Sequence, residues 1–181
     1  NRAAQTCACA SGKVINVGLA LTTLGANART LSVLGGRAGT LIEEELQSHG
    51  ISARWIHDPA TTRTCTTIIE RPTGEITELV ENAATINVQS CYAFISALQD
   101  EAKSADWIVL SGSLPPIEGR TSTRTLYCEM LEAIGHSPAV SPRPASKVIL
   151  DARGPEMVEC LSCRPFLVKP NREELAATVG R

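Results

Sequence analysis

The spacing of apolar and polar positions changes several times along the chain, and each change marks an element. Residues 14–24 (V-I-N-V-G-L-A-L-T-T-L) carry apolar side chains at helical spacing, and Gly25 stops the run. Residues 28–34 predict a short strand ending at Gly35 and Gly36. Over 40–48, Leu41, Ile42 and Leu46 share one side of a helix, Glu43, Glu44 and Glu45 take the other, and Gly50 terminates it. Residues 51–56 predict another strand. The period then shortens: 64–70 and 75–80 are β runs joined by R-P-T-G, in which Pro72 and Gly74 mark a hairpin connection. Helical spacing returns at 88–103. Residues 107–110 are nearly all apolar, as a strand buried on both faces would be, and S-G-S-L-P-P follows. Beyond it the pattern predicts a helix over 121–134 and a Pro- and Ser-rich loop over 135–146. A strand over 147–150 ends in Asp151, a short helix follows over 156–161, and a strand over 166–168. The last element is a helix over 171–179, capped by Asn171.

Regular alternation of strand and helix implies an α/β layer fold with a largely parallel sheet. The hairpin interrupts that alternation. It is expected to stand apart as a small antiparallel piece joined by residues 1–9.

Composition narrows the class. The chain has 181 residues, 43% of them hydrophobic and 20% charged, which fits one globular domain. Seventeen basic against nineteen acidic residues leave a formal charge of -2, so no broad basic field is expected for nucleic acid or an anionic membrane surface. No run approaches the ~18 apolar residues of a membrane-spanning helix. Residues 1–10 lack the apolar segment of a signal peptide. The seven cysteines are odd in number and scattered, which suits reduced thiols and a cytoplasmic location better than a disulfide scaffold. Cys160-x-x-Cys163 resembles half a zinc site, but such a site needs two more ligands, and His136 is the nearest upstream histidine. Ordinary helix and loop cysteines are the simpler reading.

In open parallel sheets, ligands bind beyond the C-terminal strand ends. Three polar clusters fall there: Ser111, Gly112 and Ser113; Asp151 with Gly154; and Lys169, Asn171 and Glu174. Asn171 and Glu174 have capping-box spacing and need no ligand to explain them. Lys169 is less ordinary, since a lysine beside a helix N-terminus is poorly placed for the helix dipole, whereas a bound anion would explain it. Gly12 and Lys13 precede a helix start, with Asn16 on its first turn, where free N–H groups can meet anions or sugar oxygens; a solvated turn is the bland alternative. Gly35, Gly36 and Gly39 allow a sharp turn close to a ligand. Neither a P-loop nor a G-x-G-x-x-G motif occurs.

In this order the clusters resemble the ribokinase-like, PfkB-type carbohydrate kinases, most nearly the branch of 1-phosphofructokinase and tagatose-6-phosphate kinase. The matching strings are S-G-K-V-I-N-V at 11–17, L-G-G at 34–36 with Gly39, and T-R-T at 62–64 with Gly74, Glu75, Thr77 and Glu78. They continue with L-S-G-S-L-P-P at 110–116, D-A-R-G at 151–154 and V-K-P-N-R-E-E-L at 168–175. The resemblance implies a ribokinase-like, Rossmann-type α/β/α sandwich with a small antiparallel β lid. Residues 1–12 and 59–82 would form the lid, and 13–58 and 83–181 the core. The match corresponds to about the N-terminal 60% of a family member, less its first strand and its C-terminal ATP-binding part.

The implied activity is MgATP-dependent phosphoryl transfer to a hydroxyl of fructose 1-phosphate, fructose 6-phosphate or tagatose 6-phosphate. The family's catalytic Asp lies in a G-A-G-D stretch, which does not occur in these 181 residues and is expected beyond residue 181. By the resemblance, Gly12, Lys13, Asn16, Gly35, Gly36, Arg63 and Ser113 face the sugar phosphate. Lys169, Asn171, Asp151 and Glu174 face ATP, with Glu174 acting on Mg2+ through water. A homodimer through the lid is an expected assembly. Ser11 and Val14 depart from the family's usual glycines at those places. A sugar-phosphate-binding remnant without transfer is the second expectation, and a small receiver-like module built on Asp151 a third.

Overall fold

The computed structural model describes residues 3–137 and 146–180. Its elements run α1 (Lys13–Thr23), β1 (Thr30–Leu34), α2 (Gly36–Ser48), β2 (Ala53–His57), β3 (Cys65–Glu70), β4 (Glu75–Val80), α3 (Val88–Ala102) and β5 (Trp107–Ser111). They continue with α4 (Leu126–Ala133), β6 (Lys147–Asp151), α5 (Gly154–Cys160), a 3-10 turn (Leu161–Cys163), β7 (Leu167–Val168) and α6 (Arg172–Val179). This is the expected α/β ribokinase-like arrangement.

The parallel strands fall into two groups. β1 pairs with β2, and β5, β6 and β7 form a second parallel sheet in that order. β1 and β5 do not pair with each other, yet α1 packs against both, and Leu31 and Val33 of β1 reach the core beneath β5. A cleft of about 2820 Å³ runs between β1 and β5 and on beneath the hairpin.

One core fills the face of β5 and β6 covered by α3, α4 and α5. Ile108, Leu110, Val148 and Leu150 point into it from alternate strand positions and meet Tyr127, Leu131, Cys128 and Cys160. A smaller cluster joins Ile15, Leu46 and Ile51. The opposite face of β5 is less covered than its apolar run predicts. Trp107 stays 49% exposed, edge-on to Phe166 at 5.2 Å with the Lys147 ammonium 4.9 Å from its ring.

Two expectations need correction. The helix expected over 121–134 begins only at Leu126, because Thr125 takes an extended conformation and its hydroxyl accepts from the Cys128 amide. Its entry is then tied sideways: Glu159 accepts from the Thr125 amide at 3.0 Å and from Arg124 Nε at 2.9 Å. The hairpin sheet has two strands among the described residues, and residues 3–9 add none. Gln5 touches the hairpin instead through a side-chain bond from Arg71 at 2.9 Å. The Pro- and Ser-rich stretch falls largely outside the described residues.

Candidate functional site at the strand ends

The C-terminal ends of β1 and β5 border the cleft, and β6 ends beside β5 in the parallel register. Ser111 closes β5 and Asp151 closes β6, directly opposite each other in the parallel register. The Ser111 hydroxyl donates to Asp151 Oδ2 at 2.9 Å. Lys13, the first residue of α1, brings its ammonium to 3.3 Å from Asp151 Oδ2 and 3.6 Å from Glu174 Oε1. Both carboxylates are mostly buried, with 14% of each side chain exposed. One cation therefore bridges two acids from distant parts of the chain. Lys13, grouped by the family resemblance with the sugar side, stands with Asp151 and Glu174.

Glu174 also completes a capping box on α6. Its amide donates to Asn171 Oδ1 at 2.7 Å, and its Oε2 accepts from the Asn171 amide at 2.9 Å. Lys169 leaves β7 with its amide bonded to the Leu150 carbonyl at 2.9 Å, and its side chain is exposed. At the other wall, Arg63 Nη2 donates to Ser113 Oγ at 3.3 Å. Ser111 and Ser113 flank Gly112, whose φ of 101° calls for a glycine. This short turn therefore joins the acidic cluster to the arginine.

Gly12 caps α1 with φ 132° and no side-chain hydrogen bond, and exposed Asn16 donates its amide to the Gly12 carbonyl at 2.8 Å. Gly35 has a specific reason to be glycine: a Cβ there would lie 2.0 Å from the Ala60 carbonyl oxygen and 2.3 Å from that of Asp58. Its amide donates to Thr62 Oγ1 at 2.9 Å, and its carbonyl accepts from the Thr62 amide at 2.9 Å. The close approach at Gly35 is thus to the segment carrying Arg63. Gly36 is exposed and adjoins Thr61.

Two residues absent from the sequence-based candidates organise this region. Asp58, 6% exposed, accepts from the Ala60 amide at 2.8 Å and the Asn87 amide at 3.0 Å. It thereby ties the segment leaving for the hairpin to the segment returning from it. Burial pushes its carboxyl up, but the Ser90 hydroxyl and the two amides outweigh burial and hold it below its ordinary value. Tyr127, 1% exposed on α4, donates its hydroxyl to the Gly112 carbonyl. An N-x-x-S spacing at Asn87 marks the α3 cap in the sequence, but nothing local marks Asp58 or Tyr127.

Cys160 does not pair with Cys163 as a local motif. Its Sγ lies 3.2 Å from that of Cys128 in the core, and burial raises its thiol well above the usual range. No group of three or more His, Cys, Asp or Glu among the described residues is arranged to hold a metal ion. No helix among them is long and apolar enough to cross a membrane.

Fold and site together define an α/β domain with a cleft between β1 and β5, a polar cluster at its strand ends and a β hairpin beside it. The chain belongs to the pfkB family of carbohydrate kinases, whose sequence profile matches residues 2–181. It is 33% identical to a D-tagatose-1-phosphate kinase of Klebsiella oxytoca over 99% of this chain and 55% of that protein. It is 30% identical to a tagatose-6-phosphate kinase of Staphylococcus epidermidis over 97% of this chain and 53% of that protein. It therefore spans about half the length of the curated relatives it matches. Phosphofructokinase-2 from Escherichia coli, in its tetrameric inhibited form, superposes with a TM-score of 0.77 at 24% identity, covering 92% of this chain and 51% of that one. A Thermotoga maritima protein superposes with a TM-score of 0.79 at 21% identity, covering 96% and 52%.

Proposed function

We propose that this chain supplies the sugar-phosphate-binding portion of an ATP-dependent kinase acting on a ketohexose phosphate, within the group fructose 1-phosphate, fructose 6-phosphate and tagatose phosphates. The observation that carries this reading is the meeting of Arg63 and Ser113 across the cleft at 3.3 Å, beside an acidic strand-end cluster. Arg63 offers a forked donor suited to the phosphate already on the sugar, and the Ser113 hydroxyl adds one more donor. Gly12 and Asn16, at an uncapped helix start, take sugar hydroxyls. The kinase relatives at 33% and 30% identity support the substrate class.

The donor set fits MgATP on the acidic side. Asp151 and Glu174 already share one ammonium, so they occupy a place that accepts positive charge. Two carboxylates with water suit Mg2+, which commonly binds through few protein ligands and substrate phosphates. Glu174 would hold the ion through water, and Asp151, bonded by the Ser111 hydroxyl, would support it. Lys169 and Asn171 approach the nucleotide phosphates. MgATP supplies the phosphoryl group when bound, and the protein's part is positioning and charge stabilisation. The base that removes the hydroxyl proton is not among the 181 residues, which contain no G-A-G-D stretch. A second reading is binding of the sugar phosphate by these residues without transfer.

Apolar side chains exposed on the hairpin, among them Ile69 and Ile76, support pairing of two chains through it. Calorimetry tests the main proposal. The chain should bind one of fructose 1-phosphate, fructose 6-phosphate, tagatose 1-phosphate or tagatose 6-phosphate. Arg63→Gln should weaken that binding at least about tenfold, the value of a lost charge-assisted bond. No binding of any of the four, or no loss with Arg63→Gln, refutes it.

A further inference from the structure

We infer that Tyr127 is a positioning residue for the ligand cleft: its hydroxyl fixes the Ser111–Gly112–Ser113 turn in the shape that aims Ser113 at Arg63 and Ser111 at Asp151. The ring sits in the core at 1% exposure, yet the hydroxyl reaches out of it to the Gly112 carbonyl. A phenylalanine would fill the same space, so packing alone does not explain the phenol. The carbonyl it holds belongs to the central residue of the turn. On one side the Ser111 hydroxyl donates to Asp151 at 2.9 Å, and on the other Ser113 accepts from Arg63 at 3.3 Å. Gly112, with its φ of 101°, gives the turn little stiffness of its own. An outside tether is therefore needed to hold both serines at once.

The tether is itself anchored. Tyr127 lies in the first turn of α4, next to the Thr125 cap, and that cap is clamped to α5 by Glu159 at 3.0 Å and by the Cys128–Cys160 contact at 3.2 Å. Burial, and after it the nearby carboxylates of Glu156 and Asp151, raise the phenol far above its ordinary value, so it stays a donor at neutral pH. Tyr127 borders the cleft but is only 1% exposed, and its hydroxyl is spent on the Gly112 carbonyl. It acts through the turn.

The test is Tyr127→Phe in the 181-residue chain, read by hydrogen exchange and by calorimetry. Amide exchange in 111–114 should rise about tenfold, while exchange in β6 and α3 stays at the wild-type rate. Uniform acceleration across the core would show a merely structural role and overturn the inference, as would no change in the turn. In the wild-type chain the Tyr127 hydroxyl proton should be visible by NMR, protected from water and close to Gly112; a freely exchanging proton overturns the inference without any variant. The ligand arm rests on the sugar-phosphate reading above. Tyr127→Phe should lower affinity for the bound sugar phosphate about five- to tenfold. If the wild-type chain binds no sugar phosphate while the turn still loosens in the variant, the functional reading falls and the positioning role stands. If the wild type binds and the variant binds equally well, the positioning role falls and the functional reading stands.

Discussion

Replacing Asp58 with alanine should detach both legs of the hairpin from the core at one stroke. The carboxylate is 6% exposed and accepts from the Ala60 and Asn87 amides at 2.8 and 3.0 Å. Bonds to an ionised acceptor are worth ~1.5–3 kcal/mol each, and losing one also strands a partly buried N–H. At the lower end of that range the two bonds together give a loss of ~3 kcal/mol. With a denaturant slope of ~2 kcal/mol/M, the urea midpoint should fall by ~1.5 M at pH 7. Asp58→Asn keeps one acceptor oxygen and should lose about half as much. The pH dependence has a definite sign. The folded carboxyl lies below its ordinary value of 3.8, so its contribution is fully present above that value and is lost as pH falls through the folded pKa. The gap between wild type and Asp58→Asn should therefore narrow as pH falls from 3.8 and close once it has passed through the lower folded pKa, where the wild-type group is also neutral. A midpoint for Asp58→Ala within ~0.3 M of wild type at pH 7 would refute the clamp. A gap that ignores pH would refute the assignment to the ionised group.

Two further outcomes follow from exposure alone. A thiol reagent should titrate three groups in the folded chain, Cys7, Cys9 and Cys65, and all seven after unfolding; rapid reaction of a fourth thiol would contradict the buried placement of Cys91, Cys128, Cys160 and Cys163. On the hairpin, Ile69 and Ile76 are cross-strand partners at 62% and 61% exposure. Ile69→Lys with Ile76→Lys should abolish concentration-dependent self-association in sedimentation runs, and a wild-type chain that stays monomeric at every concentration would refute pairing through this face.

The local signals in the sequence located most elements, because helix period, hairpin punctuation and the Asn171–Glu174 cap are all written within a few residues. The helix beginning at Leu126 was overcounted for a physical reason. Residues 121–123 (T-S-T) favour turns and caps over helix interior, and Arg124 and Thr125 are drawn to Glu159 on α5, a contact 34 residues away for Thr125. The same distinction runs through the site. The short strings around Ser113, Asp151 and Asn171 stand out by themselves. The grouping of Lys13 with Asp151 and Glu174 joins α1 to β6 and α6, and no local pattern carries it. Asp58 and Tyr127 were missed for a related reason. One is a carboxylate held by the Ala60 and Asn87 amides and the Ser90 hydroxyl, of which only Ala60 is near it in sequence, and the other a buried aromatic whose only polar work is done by its hydroxyl.

That grouping gives the cleft an electrical direction. Among Lys13, Asp151 and Glu174, two negative charges meet one positive charge, leaving a net negative end at the strand termini. Arg63 places a positive charge at the other wall, and the Ser111–Gly112–Ser113 turn spans the distance between them. A phosphate entering alone is attracted to the arginine and repelled by the acids. On the function proposed above, a phosphate arriving with a divalent cation would be accepted at the acidic end, where the cation would compete with Lys13 for the same carboxylates. On that proposal the two ends would separate a bare sugar phosphate from a metal-bound polyphosphate by charge, before any contact to sugar or base is made. Under this logic Lys13→Met leaves two mostly buried acids facing each other without their shared cation. It should then raise the chain's affinity for Mg2+ while lowering its stability in the metal-free state. A Lys13→Met chain with unchanged stability and no gain in Mg2+ binding would show that the cluster does not carry this polarity.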